Sequence, residues 1–374
     1  MKRFLTALII ILLIPSICFA EENNDYQEYI DSFDLSVFET LDDETKAFLD
    51  DLEISDFNYE SITNISIKDV VTHIINIVTQ KAESPIRGGI IVIVFIILSS
   101  LFSSMNTELN KSEFSSFFST VSSLVISILL VTMLTDCIGL CYSTIKLCSN
   151  FAYAFFPVFC IIVSTSGGAM TSFSVNSTLL ILSQGLNYIS EFIFVPITNC
   201  FLALGICSSI RNELNLSGII KMLKNAITTL ISSMSAIFVS ILSVKTAVSS
   251  RADALGLRSV RFAINSVVPV IGSSISEGLL SIQSYSSLIK SGVGVVGIIA
   301  VISIFLPALI EVTLWRLMIS LSSMVCELFN DNCAKKAVET FKDTLLIIDV
   351  ILILTMVTTI ISIGILVAAK TISN

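Results

Sequence analysis

Charged residues inside apolar runs are the places where this sequence could do chemistry. Asp349 interrupts an otherwise unbroken apolar run, and Glu311 and Arg316 lie close together in another. Glu327 follows Arg316 about three helical turns later. An ionised side chain in hydrocarbon costs roughly a few kcal/mol or more, so such residues usually face the interior of a helix bundle or a wet cavity. These four residues are therefore our candidates for a polar pathway or for contacts between helices.

Each candidate also has a simpler interpretation. If a helix begins near Asp349, its carboxylate merely favours the positive end of the helix dipole. Glu311 and Arg316 fall near the junction of two predicted membrane spans, where a position at the membrane surface would explain their charge. Both interpretations stay open from the sequence.

The sequence has few of the residues and motifs that enzyme active sites use. His73 is the only histidine, and the HExxH, P-loop and GxSxG patterns are missing from the sequence. The nine cysteines form no CxxC pair, and the nearest approach to a cluster, Cys137, Cys141 and Cys148, has no histidine beside it. We therefore predict no enzyme active site, no metal site and no cofactor.

Three glycines spell the pattern GxGxxG, namely Gly292, Gly294 and Gly297. A dinucleotide site would need a preceding strand and a βαβ unit, whereas this pattern opens an apolar run. Small residues let membrane helices approach closely, which is the better explanation.

A second small-residue pattern repeats every four positions at Ser232, Ala236 and Ser240. Such spacing places the three residues on one face of a helix and predicts a helix-packing seam. The sequence leaves open whether the seam packs within the chain or against another subunit.

Composition points to a membrane protein. Of the 374 residues, 54% are hydrophobic and 14% are charged, whereas soluble domains carry roughly 25% charged residues. The net charge of −9 is uneven, because residues 21–87 alone hold 17 acidic and four basic residues. An acidic segment of this kind is unsuited to nucleic acid, whose phosphates would repel it.

The N-terminus has the layout of a secretory signal. Lys2 and Arg3 precede a short apolar run, and small residues lead to Ala20. We predict a signal peptide over residues 1–20, cleaved after Ala20. Residues 21–87 then form an acidic extracytoplasmic segment, which ends in an amphipathic helix over residues 67–80. This helix lies on the membrane surface, on a partner, or against its own subdomain.

The rest of the chain, residues 88–374, is predicted to be a transmembrane domain. The fold class is all-α, a polytopic helical bundle with about eight spans, since crossing the bilayer takes about 20 apolar residues. Residues 263–283, which contain Pro269 and Gly272, are too polar for a confident span and fit a re-entrant or broken helix. The predicted spans are 88–104, 114–134, 151–170, 177–206, 226–244, 291–310, 312–330 and 345–369.

The basic loops give the orientation. With residues 21–87 exported, eight spans place the basic loops 245–262 and 331–344 in the cytoplasm, as the positive-inside rule requires. The basic loop 211–225 would lie outside and disagrees with the rule.

Several segments resemble the stage III sporulation protein AE family of endospore-forming bacteria. The resemblance includes a span that ends in Ser166-Gly-Gly and the later Lys290-Ser-Gly292-Val-Gly294 stretch. The order of signal, acidic segment and spans is also similar, so the resemblance covers most of the chain. One departure follows Glu327, where the family leads us to expect a proline. The central segment that carries the resemblance runs from Arg251-Ala-Asp253 through Arg261 to Pro269-Val-Ile-Gly272.

The resemblance implies a role in spore formation. It implies a multi-pass protein of the mother-cell membrane that faces the forespore. The partners it implies are the other stage III A sporulation membrane proteins and stage II sporulation protein Q. Together they would form a channel or secretion-like complex that sustains late forespore development.

Two other functions compete with this one. The chain could be a stand-alone secondary transporter, with a midplane site at broken helices near Pro196 and Pro269. It could also be a scaffold without any conduit.

Overall fold

The computed structural model describes most of the chain after residue 66. The predicted signal peptide lies outside the described residues, as do all but four of the residues between 21 and 66. The described residues are Leu41, 45–47, 67–108, 112–189, Pro196, 198–201, Ala203, Cys207, 217–267, 272–329 and 332–368.

Six long helices make up the described part of the chain. No strand occurs among the described residues, so the all-α prediction is confirmed. In chain order the helices are α1 (Ile67–Glu108), α2 (Ser112–Thr165), α3 (Ala169–Ile189), α4 (Ser217–Val267), α5 (Gly272–Leu328) and α6 (Asn332–Ala368).

Five of these helices are long and apolar enough to cross a membrane, which confirms the polytopic membrane fold. Each exceeds the roughly 20 residues that a span needs. In their most apolar stretches, about half of the residues of α5 and α6 are buried in the bundle, but only 12% of those of α4. Helices α5 and α6 are therefore central and α4 is peripheral. The spans are Val70–Leu101, Leu124–Thr165, Lys221–Gly256, Ser286–Leu328 and Ala334–Ala368.

The arrangement of spans differs from the predicted one at two places. The predicted span 114–134 and residues 151–165 of the next predicted span belong to the single helix α2, and 291–310 together with residues 312–328 belong to the single helix α5. Average hydropathy falls between each pair because polar residues occur there. A helix tolerates such residues on one side, so a fall in hydropathy does not require a loop.

The ends of α1 and α4 extend beyond the predicted elements. The amphipathic segment 67–80 and the predicted span 88–104 are continuous in α1, which also contains Pro85. Helix α4 includes the predicted span 226–244 and the basic segment 245–262. Pro269 falls between the end of α4 and the start of α5, in residues 268–271 that lie outside the described part.

Aromatic packing ties the central helices together. Phe151, Phe155 and Phe159 of α2 stack along one face, with ring centroids 5.2 and 5.1 Å apart. They are fully buried against residues of α5 and α6. Leu41, from the acidic segment, is buried in the same apolar core.

Candidate functional site: a buried ion pair in the helix bundle

Arg316 of α5 and Asp349 of α6 form an ion pair between the two most buried helices. The Nη1 atom of Arg316 donates to Oδ2 of Asp349 at 2.5 Å. The exposed fractions of the two side chains are 21% and 5%. The sequence singled out both residues, and the structure brings them together across 33 positions of the chain. Asp349 lies well inside α6, so the explanation that it marks a helix start does not apply.

The second carboxylate oxygen of Asp349 has a different environment. Among the described residues, Oδ1 is buried and has no hydrogen-bond partner. A buried acceptor without a partner is costly, and in native proteins it usually meets water, an ion or a ligand. The carboxylate can therefore hold α5 through one oxygen and accept a hydrogen bond through the other.

Glu327 belongs to a more exposed pair at the end of α5. Its carboxylate lies 2.8 Å from Lys335 at the start of α6, and the exposed fractions of the side chains are 57% and 32%. Exposed pairs contribute little to stability because water screens them. Glu327 thus joins two consecutive helices near their turn and lies apart from Asp349.

Another ion pair was not predicted from the sequence. Lys224 of α4 donates to Asp343 of α6 at 2.5 Å. Spacing along the chain gives no sign of this pair, since its members are 119 positions apart. Glu311, the remaining candidate, is partly buried on α5 five positions before Arg316.

The glycine pattern lies at a tight crossing of helices. A Cβ atom on Gly297 would lie 2.5 Å from Cζ of Phe155, and one on Gly294 would overlap Val367 of α6. Gly292 is buried on the same helix. These contacts match the packing interpretation of the pattern.

The seam of Ser232, Ala236 and Ser240 is exposed on α4. The hydroxyl of Ser240 donates to the carbonyl of Ala236 within the helix at 2.7 Å. The seam is therefore not buried within the chain, and the peripheral position of α4 explains why.

Two of the quoted sequence segments meet at the turn between α2 and α3. Gly167 has a φ of 93°, and the N–H of Gly168 donates to the carbonyl of Val163 at 3.0 Å. This Schellman geometry ends α2. Asp253 of α4 then accepts a hydrogen bond at 2.9 Å from the N–H of Thr171, in the first turn of α3.

The remaining family-like residues are only partly described. Arg261 lies on α4, but its side chain is outside the described part, as is Pro269. Gly272 is the first residue of α5. Within the described ranges, no three His, Cys, Asp or Glu side chains are grouped for a metal ion.

The protein family and the curated relative that match this chain carry the same description. A family profile described as stage III sporulation protein AE matches residues 53–370. A curated relative, stage III sporulation protein AE of Bacillus subtilis (strain 168), is 24% identical over 169 residues. That alignment covers 45% of this chain and only 42% of the relative's length. No solved structure matches the chain.

Proposed function

Because the chain belongs to the stage III sporulation protein AE family, we propose that it is a membrane subunit of a sporulation-specific channel or secretion-like complex. The complex connects the mother cell and the forespore. In this role the bundle builds or scaffolds a conduit that late forespore development requires. The observation that carries the proposal is the family match over residues 53–370, which includes all six described helices.

The ion pair between α5 and α6 supports the conduit part of the proposal. Charged residues are rare inside membrane bundles, and those that occur commonly mark ion or substrate pathways. Asp349 is paired through one oxygen and leaves the other oxygen available. A subunit that only filled space would be served better by two apolar residues at these positions.

The proposed partners are the other stage III A sporulation membrane proteins and, across the intermembrane space, stage II sporulation protein Q. The acidic segment 21–87, with a net charge of −13, faces that space in this proposal. Its charge makes it a docking surface for a basic partner at moderate ionic strength.

Affinity purification from sporulating cells tests the proposal. A tagged copy that replaces the native gene is expected to co-purify with stage III A proteins from mild detergent. The matched control is the same tagged chain expressed at equal level in vegetative cells, where no partner is expected. Purification of the chain alone from sporulating cells would contradict the proposal.

A stand-alone transporter is the second candidate, because a buried carboxylate oxygen without a partner could bind a solute or a proton. The purified chain in liposomes would then move a small solute without other proteins. A subunit of a larger complex is expected to be inert in that assay.

A further inference from the structure

The outward face of α2 is apolar at both ends and polar between them. Ile128 and Ile161 are exposed by 61% and 58%. From Thr132 to Asn150 the positions that follow the helical repeat carry polar or small side chains, and all are exposed. We call this stretch the polar face; its residues are Thr132, Asp136, Gly139, Ser143, Lys146 and Asn150.

The opposite side of the same stretch is packed in the core. Leu134, Cys137 and Cys141 are buried there, with exposed fractions of 6% or less. From Thr132 to Asn150 the helix rises about 27 Å, close to the roughly 30 Å of bilayer hydrocarbon. The polar face is therefore long enough to cross most of a membrane.

Contacts with α6 place the polar face at the depth of an apolar span. The thiol of Cys148 lies 3.9 Å from the hydroxyl of Thr359, and Cys137 and Leu345 line one small cavity. The two helices are thus parallel, and the polar face runs beside the segment of α6 from about residue 340 to 361. That segment includes the apolar run around Asp349.

Contacts with α5 agree with this depth. Phe155 packs at Gly297, and Cys137 lies at the cavity next to Trp315. Helix α5 is therefore antiparallel to α2, and its residues from about 302 to 320 lie beside the polar face. Those residues belong to the apolar span Ser286–Leu328.

Contact with lipid is unfavourable for such a face, because charged and amide groups lose hydration in hydrocarbon. The polar face would therefore be costly to place against lipid.

We propose that the polar face of α2 lines a water-filled path through the membrane. The proposal rests on the proposed function, since other subunits of a complex would keep lipid away from the face. Asp136 and Lys146 carry opposite charges and the other groups are neutral. Such a wall fits water and small hydrophilic solutes and favours neither sign of charge.

A depth-matched control position exists on α4. Asp253, near the C-terminal end of α4, contacts the start of α3, which directly follows α2, so α4 runs parallel to α2 and therefore to α6. Lys224 contacts Asp343. Counting from this contact puts Ile237 at the height of Met356, within one turn of Thr359. Ile237 is 60% exposed and apolar, so it is expected to face lipid at the height of the middle of the polar face.

Cysteine accessibility tests the proposal. Ser143→Cys and Ile237→Cys are made in the full chain, in a parent with the exposed Cys200 and Cys207 replaced by serine. Membranes from sporulating cells, opened on both sides, are treated with a charged methanethiosulfonate reagent or a lipid-soluble maleimide. Asn150→Cys provides a second test position at the C-terminal end of the polar face.

The charged reagent is expected to modify Ser143→Cys and Asn150→Cys at least about ten-fold faster than Ile237→Cys. The maleimide should modify all three. Slow reaction of Ser143→Cys and Asn150→Cys with the charged reagent means that lipid or protein covers the face, and overturns the proposal. Equally fast reaction at Ile237→Cys means that the residues at this height lie outside the membrane, and this result also overturns the proposal. If partners still co-purify in either case, the proposed function stands while this proposal fails.

Discussion

Asp253 of α4 and Thr171 of α3 are joined by two hydrogen bonds. The Oδ2 atom of Asp253 accepts from the N–H of Thr171 at 2.9 Å and from its hydroxyl at 2.7 Å. The other oxygen, Oδ1, accepts from the N–H of Met170 at 2.6 Å. A carboxylate from a distant part of the chain thus satisfies two of the N–H groups at the start of α3 that have no partner within the helix.

This arrangement predicts that Asp253→Asn lowers thermal stability. Hydrogen bonds to a charged group contribute about 1.5–3 kcal/mol, and the amide has one acceptor oxygen where the carboxylate has two. The midpoint of thermal unfolding in detergent, followed by size-exclusion chromatography after heating, should fall. Arg258→Gln is the control, because Arg258 is exposed on the same helix. Equal midpoints for the two variants would mean that the cap contributes nothing.

The pair of Arg316 and Asp349 predicts a non-additive effect on stability. Asp349→Leu leaves Arg316 partly buried without its carboxylate, which costs about 3–5 kcal/mol for buried pairs. Replacing both residues, Arg316→Met with Asp349→Leu, should recover most of that loss because the double variant buries no charge at these two positions. The same heating assay measures both variants. A double variant that is less stable than the single variant would show that the pair holds the bundle together by itself.

The sequence predicted the fold class and the two charged residues of the buried ion pair, because both predictions depend on local apolar patterning. Asp349 and Arg316 stand out as charges in apolar runs, and an apolar run predicts a helix. Their pairing could not be derived, since it depends on how α5 and α6 turn back on each other. The connection predicted between residues 134 and 151 is helix in the structure for a related reason. Hydropathy averages the two sides of α2, whereas the helical spacing of its polar residues shows that only one side is polar.

Asp253 shows what sequence reasoning missed. It lies in one quoted segment and the Ser166-Gly-Gly turn lies in another, yet nothing in their spacing indicates contact across 82 positions. The ion pair between Lys224 and Asp343 was missed for the same reason. Local patterns give helices and faces, while contacts between distant helices need the packed structure.

Asp349 also carries a functional prediction. Asp349→Asn is expected to block sporulation while protein level and co-purification of partners stay normal, because the neutral side chain keeps its shape and loses its charge. Heat-resistant spore counts and affinity purification measure the two properties. Glu327→Gln is the matched control, since it also removes one charge from an ion pair, at an exposed turn, and should leave spore counts unchanged. Normal spore counts with Asp349→Asn would favour a scaffold without a conduit.

Gly297 and Gly364 predict opposite responses to the same substitution. A Cβ on Gly297 would lie 2.5 Å from Cζ of Phe155, and that ring is held in a stack with Phe151 and Phe159. Since the ring cannot move without disturbing its neighbours, Gly297→Ala should destabilise the bundle by about 1–3 kcal/mol.

Gly364 lies on α6 with open space around the position of a Cβ. Alanine favours the helix over glycine by roughly 1 kcal/mol, so Gly364→Ala should leave the midpoint of thermal unfolding unchanged or raise it. Comparing both variants in one assay cancels the general effect of helix propensity. If Gly297→Ala were as stable as Gly364→Ala, α2 and α5 would not cross as closely as the contact with Phe155 requires.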